Sequence, residues 1–192
     1  MQLLGICGSL RKASFNLKLL REAEQRLPEG VRLIHADCGD LPLYNEDLDG
    51  PIRPAPVERI LDAIRSCDAL LFATPEYNHS IPGVLKNAID WVSRPAYASV
   101  LAHKPAGILS ASKSIVGGAR VQAHLHQILA STLTSVYPVP EFLVPQAADQ
   151  FGEDGRLADQ GTAERLQRYL FGFVIWAGKH RAGSKVPPAS GN

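Results

Sequence analysis

The sequence predicts an α/β fold built on one parallel sheet. Short apolar runs alternate along the chain with stretches whose apolar residues recur at helical spacing, as expected of parallel strands joined by crossover helices. The chain has 192 residues, of which 45% are hydrophobic, so it can bury one substantial core. We therefore expect one domain over residues 1–179, followed by a disordered tail over residues 180–192, where the periodicity is lost.

Five apolar runs are predicted to be strands, and each is followed by a one-sided apolar stripe that suits a helix packed on a sheet. The strands are predicted at residues 3–7, 31–36, 69–73, 105–110 and 137–144. The stripes are Leu17, Leu20, Ala23 and Leu27; Val57, Ile60, Leu61 and Ile64; Val84, Leu85, Ala88, Trp91 and Val92; Val121, Leu125, Ile128 and Leu129; and Ala163, Leu166, Leu170, Phe173, Val174 and Ala177.

Residues 37–56 are predicted to be an irregular surface loop between the second strand and the next helix. This segment contains four prolines, two glycines and five acidic residues. It is short and is interrupted by Leu41, Leu43 and Tyr44, so it does not have the composition of a flexible linker.

The charge balance is close to neutral, with 20 Lys and Arg against 19 Asp and Glu. No global field therefore favours nucleic acid or an anionic membrane as a partner. The three cysteines, Cys7, Cys38 and Cys67, show no C-x-x-C spacing and fit free thiols in a reducing compartment. No apolar stretch approaches the roughly 20 residues that a membrane helix needs, so we expect a soluble, cytoplasmic protein.

In an open parallel sheet, ligands bind outside the carboxyl ends of the strands, near the point where the strand order reverses. In a flavodoxin-like order of 2-1-3-4-5, the first, third and fourth strands are neighbours. The loops that follow them are residues 8–16 (loop A), 74–83 (loop B) and 110–118 (loop C). We expect these three loops to meet at one cleft.

Loop A, GSLRKASFN, has the composition of a phosphate site. It runs directly into a helix, whose first N–H groups are free to face an anion. Gly8 allows close backbone approach, Ser9, Ser14 and Asn16 offer short donors, and Arg11 can form charge-assisted hydrogen bonds with a phosphate. The alternative is that Ser14 only caps the helix and that Arg11 is solvated.

Loop B, TPEYNHSIPG, is stiffened by Pro75 and Pro82. A rigid loop suits recognition of a planar heterocycle, because little ordering entropy is lost on binding. Glu76, Tyr77 and Asn78 are then available to orient the ligand. Alternatively, Glu76 is an ordinary exposed acid and Tyr77 a partly buried anchor.

Loop C offers hydroxyls at Ser110, Ser112 and Ser114, followed by Gly117 and Gly118 at a helix start. It could wrap the edge of a ring. The competing interpretation is a serine-rich turn that only caps the helix.

Several other chemistries lose support from the sequence. It contains no G-x-x-x-x-G-K-[ST], no G-x-G-x-x-G after the first strand and no G-x-S-x-G. His124 and His126 lie two apart on a predicted helix and point to different faces. No His, Cys or carboxylate cluster has zinc-like spacing, so we expect no metal site.

Three segments together resemble the NADPH-dependent FMN reductase family, with the bacterial quinone and chromate reductases as the closest branch. They are GSLRKASFN, TPEYNHSIPGVLKNAIDW and GGARVQAHLHQIL, and the resemblance spans residues 1–179 in motif order and spacing. It implies a flavodoxin-like fold, a bound FMN, NADPH or NADH as co-substrate, and a homodimer or homotetramer with the flavin near a subunit interface.

The resemblance also implies roles for individual residues, all of them cofactor-binding or interfacial. The FMN phosphate would be held by Ser9, Arg11, Ser14, Phe15 and Asn16; the ring and ribityl chain would be lined by Pro75, Glu76, Tyr77 and Asn78, with Ser110 and Ser112 on the other side; and Arg120 would join Glu141 across subunits. The chain departs from the family in Ser114, where glycine is frequent, and in His79, where an aromatic residue is frequent.

The resulting hypothesis is an FMN-dependent NAD(P)H oxidoreductase without a catalytic acid–base pair, since the flavin carries the chemistry. Hydride passes from the nicotinamide to FMN, and two electrons then pass to a small acceptor in ping-pong order. Quinones, chromate, azo dyes and free flavin are all open as acceptors. The alternatives are a flavodoxin-type electron carrier, which the near-neutral charge and Arg11 disfavour, and a flavin-free module that kept only the fold.

Overall fold

The structure is a computed structural model that describes residues 1–183, with the side chains of residues 1–180. Its strands all run parallel. They are β1 (Gln2–Cys7), β2 (Arg32–Ala36), β3 (Ala69–Thr74), β4 (Pro105–Ala111), β5 (Ser135–Val136) and β6 (Phe142–Val144). The sheet order is β2-β1-β3-β4-β5, with β6 also paired to β4, so the predicted order is confirmed.

Of the predicted fifth strand, only residues 142–144 form a strand, β6, and a further short strand, β5, lies just before the predicted range. β5 pairs with the start of β4 and β6 with its end, and residues 138–141 between them leave the sheet after the N–H of Tyr137 has donated to the carbonyl of Ala106 at 2.8 Å. This interruption contains Pro138 and Pro140, which have no N–H to donate to a neighbouring strand. The continuous strand predicted over residues 137–144 is corrected accordingly.

The helices follow the predicted stripes, with differences at their ends. They are α1 (Phe15–Gln25), α2 (Ala55–Ser66), α3 (Gly83–Val92), α4 (Ala119–Ser131), the short α5 (Ala147–Gln150) and α6 (Gln160–Gly183), with a 3-10 helix at Glu46–Leu48. α5 was not predicted, because four residues are too few to show a helical period. No helix of the described chain is long and apolar enough to cross a membrane.

The last helix extends beyond the predicted end of the domain at Lys179. α6 continues to Gly183, so residues 180–183 of the predicted tail are helical. The end of a helix can continue without apolar residues, because each further residue adds one backbone hydrogen bond to the helix. The loss of periodicity after Lys179 therefore did not indicate the end of α6. Residues 184–192 lie outside the described residues.

Two hydrophobic layers cover the sheet, one on each face. α1 and α6 pack on one face, and α2, α3 and α4 pack on the other. Alternate residues of a strand feed the two layers: Leu70 and Phe72 of β3 point to one, and Leu71 and Ala73 to the other. Because both faces of the sheet are buried, every residue of β3 and β4 is buried and the two strands are almost continuously apolar.

The long loop after β2 is irregular, as predicted, apart from its one 3-10 turn. It is held against α3 by the carbonyl of Pro42, which accepts hydrogen bonds from Asn87 Nδ2 at 2.9 Å and Trp91 Nε1 at 2.7 Å. Tyr44 packs edge-on against Trp91 with the ring centroids 5.0 Å apart. These contacts order a segment that has almost no secondary structure of its own.

The three cysteines are free thiols, as predicted. Cys38 and Cys67 are buried in the layer formed with α2, α3 and α4. Burial raises the pKa of Cys38 to about 12 and that of Cys67 to about 11. Both therefore stay protonated near neutral pH and are poor nucleophiles.

Candidate functional site

Loops A, B and C begin at one edge of the sheet. Cys7 at the end of β1 is in register with Ala73 of β3, and Thr74 is in register with Ser110 of β4. The strands thus end at the same level, and the loops enclose a cavity of about 290 Å³. The predicted site residues that line it are Ser9, Arg11, Ser14, Phe15, Asn16, Pro75, Glu76, Tyr77 and Ser112.

Gly8 lets loop A leave the sheet in contact with β3. Its N–H donates to the carbonyl of Ala73 at 2.9 Å. A Cβ at this position would lie 2.5 Å from Thr74 Oγ1, closer than any real carbon can approach. Gly8 therefore allows the backbone of loop A to approach β3 closely, as its lack of a side chain predicted.

A tight turn prepares the start of α1. Ser9 Oγ accepts a hydrogen bond from the N–H of Arg11 at 3.3 Å, and the N–H of Ser14 donates to the carbonyl of Arg11 at 3.0 Å. Ser14 Oγ then accepts from the N–H of Leu17 at 3.4 Å, so Ser14 is the N-cap. The capping interpretation of Ser14 is correct, and it is compatible with a phosphate site.

The cap leaves free donors at the cavity. The N–H groups of Phe15 and Asn16 precede the first intrahelical hydrogen bond, and both residues line the cavity. The helix dipole adds positive potential at this end of α1. Arg11 is exposed, and its guanidinium carbon lies 5.4 Å from the centroid of the Phe15 ring. Together these groups have the chemistry of an anion site.

The side chain of Asn16 has a different partner from the one predicted. It is buried, donating from Nδ2 to the carbonyl of Ala111 and accepting at Oδ1 from the N–H of Ala111, both at 2.9 Å. This pair of hydrogen bonds ties α1 to the end of β4. Its contribution to a phosphate site is therefore expected from the backbone N–H, with the side-chain amide serving the fold.

Loop B contains a two-residue turn. Tyr77 and Ser80 exchange two backbone hydrogen bonds of 3.0 Å, and Asn78 and His79 between them have φ of 49° and 64°. Two left-handed residues define a type I′ turn. Tyr77, 51% exposed, lines the cavity, whereas Asn78 and His79 are exposed outside it.

Glu76 connects loop B to α4. Its Oε1 accepts a hydrogen bond from Arg120 Nε at 3.0 Å, and its Oε2 accepts from the N–H groups of Arg120 at 3.2 Å and Val121 at 3.4 Å. The carboxylate is only 10% exposed, so the interpretation of Glu76 as an ordinary exposed acid is wrong. Arg120 pairs within its own chain here, and its predicted pairing with the exposed Glu141 across subunits stays a prediction.

Ser110, the first residue of loop C, is still part of β4. It is fully buried, and its Oγ donates to the carbonyl of Gly117 at 2.8 Å while accepting from Gln122 Nε2 at 2.9 Å. A Cβ at Gly118, where φ is 91°, would lie 2.9 Å from Ser110 Cβ. The structure thus gives Ser110 a role in holding the loop, and the cavity is reached by Ser112 instead.

Ser114 does not occupy a left-handed backbone conformation that would require glycine. The left-handed residues of the loop are Gly117 and Gly118, and Ser114 instead hydrogen-bonds locally, donating its N–H to Ser112 Oγ at 3.2 Å. The serine-rich turn is therefore real, and it coexists with the cavity wall that Ser112 provides.

Ala111 and Lys113 also line the cavity and were not predicted. The side chain of Lys113 is exposed, so it brings a second cation to the site beside that of Arg11. The sequence could have indicated it, because Lys113 lies in loop C between Ser112 and Ser114, which were considered as ligands.

The histidines form no metal centre in the part of the chain that the structure describes, where no group of three potential ligands comes together. His124 is exposed, and its Nδ1 lies 3.1 Å from Ser80 Oγ. This contact adds a second link between loop B and α4.

The donor set fits FMN. One end of the cavity offers a cation, a hydroxyl and helix N–H groups for a phosphate monoester, and residues of loops B and C, among them Pro75, Tyr77 and Ser112, line the rest. The volume is at the lower end of the range for small-molecule sites.

Comparison with known proteins agrees with this geometry. The family model for NADPH-dependent FMN reductases matches residues 1–149. The chain is 45% identical over 183 residues to an NAD(P)H-dependent FMN reductase of Pseudomonas aeruginosa, covering 94% of this chain and 97% of that protein. It is 40% identical over 177 residues to a quinone reductase of Pseudomonas putida, covering 92% and 95%.

A solved structure shows the same fold. FerB, a flavoenzyme NAD(P)H:(acceptor) oxidoreductase of Paracoccus denitrificans, superposes with a TM-score of 0.85 at 38% identity, covering 93% of this chain and 98% of that one. The predictions of a flavodoxin-like fold, of FMN with NAD(P)H, and of an oxidoreductase are confirmed. The chain belongs to the NADPH-dependent FMN reductase family.

Proposed function

We propose that this chain uses FMN bound in the cavity of loops A, B and C to pass electrons from NAD(P)H to a quinone-like acceptor. The observation that carries the proposal is the convergence of the three loops, with an anion site at the start of α1 at one end of the cavity. An electron carrier without nicotinamide oxidation is not favoured, because the relatives are reductases.

The phosphate would be held on loop A. Arg11 supplies charge-assisted hydrogen bonds, Ser9 and Ser14 lie beside it, and Phe15 and Asn16 offer their N–H groups. These groups fit a dianionic monoester better than a neutral alcohol, which gives the site a preference for FMN over riboflavin.

The ring and the ribityl chain would lie between loops B and C. Pro75, Glu76 and Tyr77 line one side and Ser112 the other, and Tyr77 stands at the exposed rim. The ion pair of Glu76 with Arg120 and the type I′ turn hold loop B rigid before any ligand binds. Preorganisation of this kind reduces the entropy lost on binding.

When bound, FMN supplies hydride acceptance from the nicotinamide and two-electron delivery to the acceptor. The protein binds the flavin, orients it towards the nicotinamide and the acceptor, and shields it from water. No acid–base pair is needed for it, and the ionisable groups of the cavity have binding roles in this scheme. Because nicotinamide and acceptor would use one exposed face in turn, the kinetics should be ping-pong.

The acceptor class is proposed from the relatives. They include a 2-hydroxy-1,4-benzoquinone reductase of Burkholderia, 34% identical over 176 residues and covering 92% of this chain and 96% of that protein. We take a quinone as the acceptor, with chromate, azo dyes and free flavin as further candidates for the same exposed site.

We further propose a homodimer or homotetramer with the cavity near a subunit interface. The support is that four residues in or near loop B, the start of α4 and the start of β6 are exposed: Tyr77, His79, Arg120 and Glu141. A cytoplasmic location is proposed from the three free thiols, which suit a reducing compartment.

The test is an initial-rate analysis of the FMN-loaded chain with 1,4-benzoquinone, using NADPH and NADH in separate series. Double-reciprocal lines that stay parallel as the quinone concentration changes would support a shared site. Intersecting lines would indicate that NAD(P)H and the quinone bind together, which contradicts a shared site. No NAD(P)H oxidation at all would point to an electron carrier. The chain without flavin serves as the control.

A further inference from the structure

Arg11 is the outermost member of a stack of side chains. Its guanidinium carbon lies 5.4 Å from the centroid of Phe15, and the Phe15 ring stacks on Phe151 with centroids 5.7 Å apart and planes 28° apart. Phe15 lines the cavity, whereas Phe151 is only 8% exposed and does not line it. Phe151 therefore lies outside the cavity and stacks on Phe15, which lines it.

A second cation joins the same two rings. Lys18 Nζ lies 5.6 Å from the centroid of Phe15 and 5.9 Å from that of Phe151. Cations over the two rings favour a fixed ring orientation, because the ammonium is attracted to the ring faces. The two phenylalanines thus form a stacked aromatic pair directly after Ser14, the N-cap of α1.

Residues 151–157, the anchoring loop, fix Phe151 in place. Phe151 forms an antiparallel bridge with Leu157, which closes the loop. Arg156 makes an ion pair with Glu22 of α1, whose side chain is 2% exposed, and donates to Gln25 Oε1 at 2.7 Å. The anchoring loop is therefore attached to α1 at both its aromatic end and its cationic end.

The anchoring loop lies beyond the part of the chain that the family model matches, which ends at residue 149. The family model therefore gives no role to this loop, and its contribution to the site is argued from the contacts in this structure. The contact network above is the observation on which the inference depends.

We propose that Phe151 is a positioning residue that sets the preference of the site for FMN over riboflavin. An exposed arginine on a short turn has many rotamers, and ordering it costs binding free energy. Phe151 holds Phe15, and Phe15 holds the guanidinium of Arg11 over the phosphate end of the cavity. This inference rests on the proposed FMN site.

The first test is Phe151→Leu, which removes the ring and keeps an apolar side chain. We expect the Kd of FMN, measured by titration of flavin fluorescence, to rise about threefold to tenfold, the scale of a lost cation–π contact. The Kd of riboflavin, which has no phosphate, should not change. Phe151→Tyr keeps the ring and should restore the FMN affinity of the unaltered chain.

A matched control separates positioning from general destabilisation. Phe173→Leu makes the same substitution in the same hydrophobic layer, at a fully buried residue away from the cavity. It should lower the free energy of unfolding without changing the ratio of riboflavin Kd to FMN Kd. A changed ratio in Phe173→Leu, or equal losses of both flavins in Phe151→Leu, would overturn the proposal.

A double-mutant cycle tests whether Phe151 acts through Arg11. Phe151→Leu should weaken FMN binding no further when Arg11→Ala is already present, whereas fully additive losses would overturn the proposal. If the unaltered chain binds no FMN, the proposed function fails and the inference with it. If the unaltered chain binds FMN and Phe151→Leu binds it equally well, the inference alone fails.

Discussion

Glu76 and Arg120 form an ion pair in which Arg120 Nε donates to Glu76 Oε1 at 3.0 Å, joining loop B to the first turn of α4. The two residues are 44 positions apart in the chain. The same carboxylate accepts two N–H groups of that turn, so it acts as the cap that α4 lacks at Gly118. A residue predicted to orient a ligand thus also holds the helix beside the site.

Replacement of Glu76 by alanine should lower the free energy of unfolding by about 1 to 2 kcal/mol, because an N-cap and a charge-assisted hydrogen bond are lost together. Urea unfolding of the flavin-free chain measures this change. Glu29→Ala, at an exposed acid outside loops A to C and the anchoring loop, is the control and should stay within about 0.5 kcal/mol. Equal stabilities for the two variants would contradict the capping role.

Arg11→Ala should weaken FMN binding by about 1.5 to 3 kcal/mol, the scale of a hydrogen bond to a charged group. Fluorescence titration gives the Kd, and riboflavin should show a much smaller change because it offers no phosphate. Lys12→Ala, at the exposed neighbour that does not line the cavity, is the matched control. An unchanged FMN affinity in Arg11→Ala would show that Arg11 is not a phosphate ligand.

Asn16→Ala should destabilise the fold by about 2 to 4 kcal/mol, since the buried N–H and carbonyl of Ala111 would both lose their partner. The expected result is a lower urea midpoint in the flavin-free chain. Gln127→Ala, at an exposed amide on α4, should have little effect. A stability loss no larger than that of the control would show that the two hydrogen bonds matter little.

The stability of the chain should fall at alkaline pH because of Cys38. Burial raises the pKa of this thiol from about 9 to about 12, so below pH 9 it is protonated in both the folded and the unfolded chain. Between these values only the unfolded chain ionises, and the free energy of unfolding falls by about 1.4 kcal/mol per pH unit from this group.

The measurement is urea unfolding at pH 8 and pH 10 for the unaltered chain and for Cys38→Ala. The variant should lose about 1.4 kcal/mol less over this interval, since it lacks the thiol whose ionisation favours the unfolded chain. Identical losses in the two proteins would show that Cys38 is accessible to solvent and titrates normally.

The predicted strands and helical stripes were located well because they depend on burial. Side chains such as Leu61 and Leu125 recur at helical spacing and are buried against the sheet in the structure. Convergence of the three loops also followed from sequence, because parallel strands in a known order end at one edge. The interruption before β6 was missed although Pro138 and Pro140 indicate it in the sequence, and β5 was missed because two residues are too few to show a strand pattern.

Side-chain partnerships within the site were beyond the sequence. Asn16 and Ala111 lie 95 positions apart, and nothing local indicates that their groups form a matched pair. Ser110 and Ser112 look equivalent in the sequence, yet Ser110 is buried and Ser112 lines the cavity. β4 ends at Ala111, so Ser112 has left the strand and reaches the cavity. Ser110 is still in the strand and is covered by Gln122 of α4.

The sequence by itself determined the α/β class, the three loops and their chemistry, because periodicity, turn residues and short polar donors are local properties of the chain. Only the tertiary structure decided which donors remain free for a ligand. It committed the amide of Asn16 and the hydroxyl of Ser110 to the fold, and it placed Phe151 beneath Phe15. The physical reason is that each polar group near a buried edge must find a partner, and the partner is chosen by proximity in space.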